Sequence, residues 1–187
     1  ILELKDRIIM AAIDAFNEKG LKFTMSDIAS RLSISKKTIY TVFETKDGML
    51  LEMVDYLFDG IKESERAIIE DDSLTLSEKI SRILSVLPES YQSIDLRQLY
   101  QLKDKYPDIY AKVEGRLENG WETTLELMNE GIRQGVIRPV NLSIFKMMME
   151  ASLEQFFQRD ILVRCNMTYT QGLNEVVSIL LKGIEEA

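Results

Sequence analysis

The chain of 187 residues is 45% hydrophobic and 29% charged, an ordinary composition for a globular protein that buries its core without disulfides. One cysteine and no histidine exclude an internal disulfide and remove the commonest general base and transition-metal ligand. No run of about 18 apolar residues occurs, and no export signal opens the chain. We therefore expect a cytoplasmic protein that uses no metal or other cofactor and does not enter a membrane.

The formal net charge of −8 is unevenly distributed along the chain. Residues 1–47 contain eight Lys or Arg and seven Asp or Glu, a net charge of +1, whereas residues 48–187 contain fifteen against twenty-four, a net charge of −9. An acidic surface repels phosphates. A nucleic-acid site is therefore expected only in the first part, at a local cluster of lysines, and its non-specific affinity should be low and salt-sensitive.

Apolar periodicity first predicts an amphipathic helix over about residues 3–19. Ile8, Ala12 and Phe16 lie on its apolar face. Gly20 is placed to end the helix in a left-handed conformation.

Residues 24–46 then combine two short helical patterns that meet across a polar turn. In the first pattern, Met25, Ile28 and Leu32 fall on one face of a helix that Thr24 can cap. The second pattern has its apolar residues on one side and a row of cationic and hydroxyl side chains on the other. That row is Lys36, Lys37, Thr38, Tyr40 and Thr41.

A helix-turn-helix that reads DNA accounts for both faces of this block. The alternative is a small three-helix core with a polar outside, but such a core requires only the apolar positions and not the row of donors. Tyr40 or Lys46 alone would be weak evidence, because a half-buried tyrosine and a solvated lysine are common on helices.

The block resembles the TetR (tetracycline repressor) family of bacterial transcription factors over about the first fifty residues. The segments that carry the resemblance are Phe16-Asn17-Glu18-Lys19-Gly20, Phe23-Thr24-Met25-Ser26-Asp27-Ile28-Ala29, Ile34-Ser35-Lys36-Lys37-Thr38-Ile39-Tyr40, Phe43, Lys46 and Leu50. Lys37 departs from the family pattern, because many members carry Gly there, and this difference bears on which operator is read. The rest of the chain matches only in its helical character and length.

The resemblance implies an all-α, dimeric, ligand-responsive regulator, most often a repressor. Residues 1–47 would form the DNA-binding domain, and residues 48–187 a helical effector-binding and dimerisation domain. The second helix of the motif would enter the major groove, while Tyr40 and Lys46 would hold phosphates. The full predicted DNA-binding set is Thr24, Ser26, Ser35, Lys36, Lys37, Thr38, Tyr40, Thr41 and Lys46.

Beyond the motif the periodicity predicts six further helices, which makes nine in all, and no strand. They cover about residues 46–70, residues from the Thr75 capping box to Pro88, and residues 95–105, 107–134, 141–163 and 168–185. A row of glutamates at every fourth position of the helix over 107–134 is interpreted as a solvated surface, because its carboxylates lack a convergent partner.

Bulky apolar side chains predict an effector cavity between residues 75 and 165, although they would equally suit a solid core. The predicted lining is Leu87, Tyr91, Leu99, Tyr100, Trp121, Met128, Met149 and Phe156. Such a lining suits an apolar or amphipathic small molecule, and the surrounding acidity favours a neutral or cationic one.

The last two predicted helices are apolar on more than one side, so each needs two partners. We predict that one partner is a second copy of the chain, in a four-helix bundle about a two-fold axis. The predicted interface is Leu153, Leu173, Val177, Leu180, Leu181 and Ile184. The alternative is a thick core within one chain.

The expected partners are double-stranded operator DNA, a small-molecule effector and a second copy of the chain. An enzyme with an appended helix-turn-helix would need a convergent acid, base or nucleophile, or a Gly-rich phosphate loop, and the sequence contains none. The remaining alternative is a helical protein-interaction module with a vestigial helix-turn-helix.

Overall fold

The computed structural model of the chain describes residues 3–88, 95–97 and 99–184. The regular structure of these residues is helical, which confirms the all-α prediction. The α-helices are α1 (Leu4–Lys19), α2 (Met25–Leu32), α3 (Lys36–Tyr40), α4 (Lys46–Glu70), α5 (Leu76–Leu84), α6 (Leu102–Lys105), α7 (Pro107–Glu118), α8 (Glu122–Arg133), α9 (Leu142–Gln158), α10 (Ile161–Arg164) and α11 (Tyr169–Lys182).

Two of the predicted helices are divided. The helix predicted over residues 107–134 breaks between α7 and α8, because Asn119 is extended and Gly120 adopts a φ of +81° that favours glycine. The helix predicted over residues 141–163 ends at α9, where Arg159 is extended, and the short α10 follows. The described residues therefore form eleven helices instead of nine.

The first three helices and the start of α4 enclose a tightly filled core. Its central side chains, Ile8, Ile28, Ile39 and Met49, have no exposed surface. They come from four different helices, so each helix is held by the other three. We call α1 to α3 the head, and α5 to α11 the body.

Each helix that begins in this region after α1 starts at a hydroxyl cap. The side chains of Thr24, Ser35 and Thr45 accept hydrogen bonds from backbone N–H groups in the first turns of α2, α3 and α4. Such caps satisfy donors that a helix start otherwise leaves free. They fix where the short helices begin, which matters because α3 has only five residues.

Helix α4 belongs to both parts of the fold. Its first turns pack on α1, and its later turns pack on α5 and α7. Lys112 and Arg116 of α7 form salt bridges with Asp55 and Asp59 of α4. The cluster of buried apolar residues continues from the head into the body, so the predicted boundary after residue 47 is not a gap in packing, and the division into domains stays a prediction.

The body packs α8 on α5 and α11 on α9. Helices α5 and α8 approach each other closely at Gly131, where an added Cβ would lie 2.7 Å from side-chain atoms of Ile80 and Ile137. Gly172 is similarly covered by Leu162 and Phe156. No helix in the described part of the chain is both long and apolar enough to cross a membrane.

Candidate nucleic-acid interface and effector cavity

The turn between α2 and α3 is set by one left-handed residue. Ser33 has a φ of 53°, and the N–H of Ile34 then donates to the carbonyl of Ala29 at 3.0 Å. The chain reverses within these residues and α3 begins directly afterwards at its Ser35 cap. The arrangement is that of the predicted helix-turn-helix.

Helix α3 buries its apolar residues and leaves its donors outside. Ile39 is fully buried and Phe43 nearly so, whereas Lys36, Lys37 and Tyr40 are exposed, Tyr40 to 48%. Neither lysine has an ion-pair partner among the described residues. Two ammonium groups and a phenol are thus available to a partner on one short helix.

The hydroxyls of the motif are mostly engaged within the head. The Oγ of Ser35 lies 2.9 Å from the Oγ1 of Thr38, and Thr41 donates to the carbonyl of Thr38 at 2.6 Å. Ser26 is exposed in the first turn of α2. A hydroxyl that already donates within the head, such as that of Thr41, can still accept a hydrogen bond from a partner.

Thr24 and Asp27 form a reciprocal capping box at the start of α2. The Asp27 carboxylate accepts from the Thr24 N–H at 2.8 Å and from its hydroxyl at 2.9 Å, and Lys19 lies 2.5 Å away. The Lys19 ammonium first, and then the two Thr24 donors, lower the pKa of Asp27 to about 2. The carboxylate therefore stays charged at the positive end of α2.

Lys46 has an internal role that the sequence did not reveal. Its Nζ donates to the carbonyls of Leu21 at 2.7 Å and Phe23 at 2.6 Å. It also lies 4.2 Å from the centroid of the Phe23 ring and 5.7 Å from that of Tyr106 in the body. Two of its three N–H donors are thus occupied, so the predicted phosphate contact has one donor left.

Some other basic residues of the head form ion pairs with neighbouring carboxylates. Lys5 pairs with Glu52 at 2.8 Å, and Arg31 pairs with Glu18 at 2.5 Å. Arg7 and Lys22 of the head, like Lys36 and Lys37 of α3, have no ion-pair partner among the described residues, so both lysines of α3 belong to the uncompensated positive charge of the head. This supports a local basic surface on a protein that is acidic overall.

Known proteins match both the head and the whole chain. A profile described as "Bacterial regulatory proteins, tetR family" matches residues 8–53. An uncharacterized HTH-type transcriptional regulator of Bacillus subtilis (strain 168), YvaF, is 29% identical over 178 residues, which cover 95% of this chain and 94% of that protein. Residues 8–53 are therefore similar to the DNA-binding segment of the TetR family, and the whole chain is similar to a helix-turn-helix regulator.

Solved structures of TetR-family regulators share the fold over nearly the full length. One from Cytophaga hutchinsonii superposes with a TM-score of 0.71 at 20% identity, covering 98% of this chain and 95% of that one. Another, a putative regulator from Mesorhizobium loti, has a TM-score of 0.63 at 18% identity, with coverage of 97% and 96%. This likeness shows the fold, and the profile match together with the YvaF relative identifies the chain as a helix-turn-helix transcriptional regulator and not an enzyme.

The body of the protein contains two adjoining cavities, each of about 120 Å³. The lower chamber is almost entirely apolar and reaches Ile13 and Phe16 on α1 of the head. The upper chamber lies between α4, α5, α9 and the α7–α8 connection. The residues that line both are Phe58, Ile61, Leu87 and Tyr169.

The predicted effector residues divide into three groups. Leu87, Leu99, Trp121 and Met149 line the chambers. The residues that do not line them are Met128 and Phe156, which are core residues, and Tyr100. Tyr91 lies outside the described residues. The sequence pattern could not separate core from lining, because both require inward-facing apolar side chains.

Many of the chamber residues missed by the sequence prediction come from outside residues 75–165. Phe58 and Ile61 lie on α4, Phe16 lies on α1, and Tyr169 begins α11. The apolar stripe of α4 was visible in the sequence. Its position beside a void depends on how far α7 and α11 stand from it, and no local pattern reports that distance.

The predicted dimer residues are mostly buried within a single chain. Leu153, Leu173, Val177, Leu181 and Ile184 are all buried in the core of their own chain, and only Leu180 is partly exposed. They pack mainly between α9 and α11 of one chain, although Leu180 and Ile184 also line a groove at the surface, and the dimer interface stays a prediction. The apolar side chains that α9 and α11 do expose are Ile144, Met147, Met148 and Ile179.

Proposed function

We propose that the protein is a dimeric repressor that a small apolar or amphipathic molecule releases from a palindromic operator. One arrangement carries this proposal. Helix α3 exposes lysines that have no ion-pair partner among the described residues, and the chamber in the body is also lined by residues of α1 and α4. We propose that it acts in the cytoplasm, where bacterial DNA lies.

In this proposal α3 enters the major groove of the operator. Lys36 and Lys37 lie on its exposed face and suit acceptors on guanine edges, while Tyr40 suits a phosphate oxygen. The hydroxyls of Thr38 and Thr41 already make hydrogen bonds within the head, so we assign these residues weaker base contacts. Ser26 and Ser35 would hold backbone phosphates near the starts of α2 and α3. Thr24, the third hydroxyl predicted there, already donates both its N–H and its hydroxyl proton to Asp27, so it would need to release that carboxylate to bind a phosphate.

Two copies would associate through the exposed groove between α9 and α11. Ile144, Met148, Ile179 and Leu180 line this groove, and Ile179 is 62% exposed. Methionines suit such a surface because they adapt to irregular gaps. A two-fold axis would set the two α3 helices on half-sites about one helical turn apart, roughly 34–36 Å.

Release would follow from where the cavity lies. The lower chamber is bounded by Phe16 of α1 and by Leu50 and Met53 in the early turns of α4. A molecule that fills it and prefers a wider separation of these helices would move the head relative to the body. A preference of about 1–3 kcal/mol is enough to change operator affinity by 5- to 150-fold.

The proposal is tested by selecting bound sequences from random double-stranded DNA and measuring their affinity across a salt series. We expect an inverted repeat, and we expect Lys36→Ala and Lys37→Ala each to lower the salt slope by about 0.9. Lys105→Ala removes an equal charge from an exposed position on α6 and is the matched control. If no sequence is enriched, or if all three variants bind alike, the DNA-binding assignment is wrong.

A further inference from the structure

Two hydroxyl groups face the upper chamber without a partner. Thr124 is only 5% exposed, and Tyr169 lines the place where the two chambers meet. Neither hydroxyl makes a hydrogen bond with any residue that the structure describes. Burial alone raises the pKa of Tyr169 to about 12, so this phenol is neutral and remains a donor at any physiological pH.

Because neither hydroxyl has a protein partner, the full hydrogen-bonding capacity of both is available to a molecule in the chamber. The Tyr169 ring is held in place by an edge contact with Phe156 and a tilted contact with Phe157. Its hydroxyl therefore does not gain a partner by a small rotation. A ligand that supplies the missing hydrogen bonds would gain affinity and orientation together.

The charged groups around the same chamber are already compensated. Lys62 donates to Glu65 at 2.7 Å and also to the carbonyl of Gly120. Arg116 pairs with Asp59 at 2.6 Å. Because no charge of either sign is left over among the described residues of the chamber, a charged ligand would be buried there without a counter-ion, which is costly. An uncharged polar group is therefore favoured.

The lower chamber adds a requirement on shape. It has almost no polar lining and extends from Tyr169 to Ile13 and Phe16 of the head. A cavity of about 150 Å³ holds a benzene molecule, so each chamber accommodates roughly six carbon atoms. A molecule that fills both must be elongated, with its polar group in the upper chamber and its apolar part in the lower one.

We propose that the effector site binds an uncharged, elongated aliphatic molecule, with its polar group on the hydroxyls of Thr124 and Tyr169 and its chain against α1. This assignment rests on the proposed function, because it takes the two chambers to be the effector site. It adds the chemical class of the ligand and the residues that select it.

The test uses straight-chain primary alcohols from 1-pentanol to 1-dodecanol as probes. Trp121 lines the upper chamber and is the only tryptophan, so its fluorescence reports binding directly. We expect affinity to rise about fourfold for each added methylene. The rise should continue beyond roughly six carbon atoms, the number that a single chamber accommodates. Decanoate, which carries a charge, should bind more weakly than 1-decanol.

Two variants test the polar contacts. Thr124→Val and Tyr169→Phe should each weaken 1-decanol binding by about threefold to tenfold. Neither should lower the melting temperature of the free protein, because neither hydroxyl has a protein partner to lose. Tyr110→Phe is the matched control, since Tyr110 is a buried tyrosine that lines neither chamber, and it should bind 1-decanol like wild type.

The outcomes separate this inference from the proposed function. Decanoate binding more tightly than 1-decanol, or equal affinities in wild type, Thr124→Val and Tyr169→Phe, would overturn the ligand class even if the protein binds an operator. If the variants behave as expected but 1-decanol leaves operator affinity unchanged, the polar contacts stand and the effector role of the site fails.

Discussion

The head and the body of this protein are both built from helices, but their interiors are packed differently. In the head, the core around Ile28 and Ile39 is fully buried, and the short helices start at hydroxyl caps. In the body, α4 stands beside two chambers, and the hydroxyls of Thr124 and Tyr169 face them without partners. A surface that reads DNA must hold its donors rigidly, whereas a surface that admits a ligand must leave room and polar groups unused.

The largest expected difference between the two regions is in the cost of truncating a buried side chain. Ile39→Ala should lower the free energy of unfolding by about 2–5 kcal/mol, because it opens a cavity in a filled core. Leu87→Ala should cost about 1–2 kcal/mol, since Leu87 already faces open chambers and loses fewer contacts. Urea denaturation measures both. Equal costs would mean that the chambers are packed in solution.

Lys46 tests the connection between the regions. Lys46→Ala removes two hydrogen bonds from a charged donor to the Leu21 and Phe23 carbonyls, each worth about 1.5–3 kcal/mol in general. We expect a loss of stability of that order and weaker operator binding at every salt concentration. Lys37→Ala should instead change mainly the salt slope and the sequence preference. If Lys46→Ala changes only the salt slope, the lysine is a simple phosphate contact.

Packing density in the body is not uniform, and two glycines distinguish a close helix contact from an open position. Gly131→Ala should cost about 1–3 kcal/mol, because the added methyl meets Ile80 and Ile137 at the contact of α5 with α8. Gly115→Ala, in α7, has nothing within 4 Å of the added methyl and should stabilise by about 0.4–1 kcal/mol. Thermal unfolding of the pair distinguishes the two sites. If Gly131→Ala stabilises the protein, the packing between α5 and α8 can accommodate an added methyl group as easily as the walls of the chambers can.

The smallest effect concerns the pH dependence of the head. Because the pKa of Asp27 is lowered to about 2 in the folded protein, its contribution to stability is complete above the unfolded value of about 3.9 and is lost as the pH falls towards 2. The stability difference between wild type and Asp27→Asn should therefore shrink between these two values. Glu78→Gln is the matched variant in the body, because the Thr75 donors of the capping box at α5 also lower the pKa of Glu78. A difference for Asp27→Asn that stays constant down to pH 2 would contradict the assignment.

The motif was predictable because it is local. The spacing of Ile28, Leu32 and Ile39 defines the buried face, and Thr24 and Ser35 cap the two helices as expected. Hydrogen bonds of a cap join residues two or three positions apart, so the sequence contains both partners. The broken helix between α7 and α8 was also marked locally, by Asn119 and Gly120, but a continuous apolar stripe hid the break.

The order of the helices, the chemistry of the DNA-reading face and the family were determined by the sequence itself, through periodicities and caps that act over a few residues. Only the tertiary structure decided that Lys46 holds carbonyls 23 and 25 positions away, that Val177 and Leu181 face their own core, and that Tyr169 meets a void. The physical reason is that an inward-facing side chain is apolar whether it meets a neighbour, a partner chain or empty space. Which of the three it meets depends on distances between helices, and those are set by the packing of the whole chain.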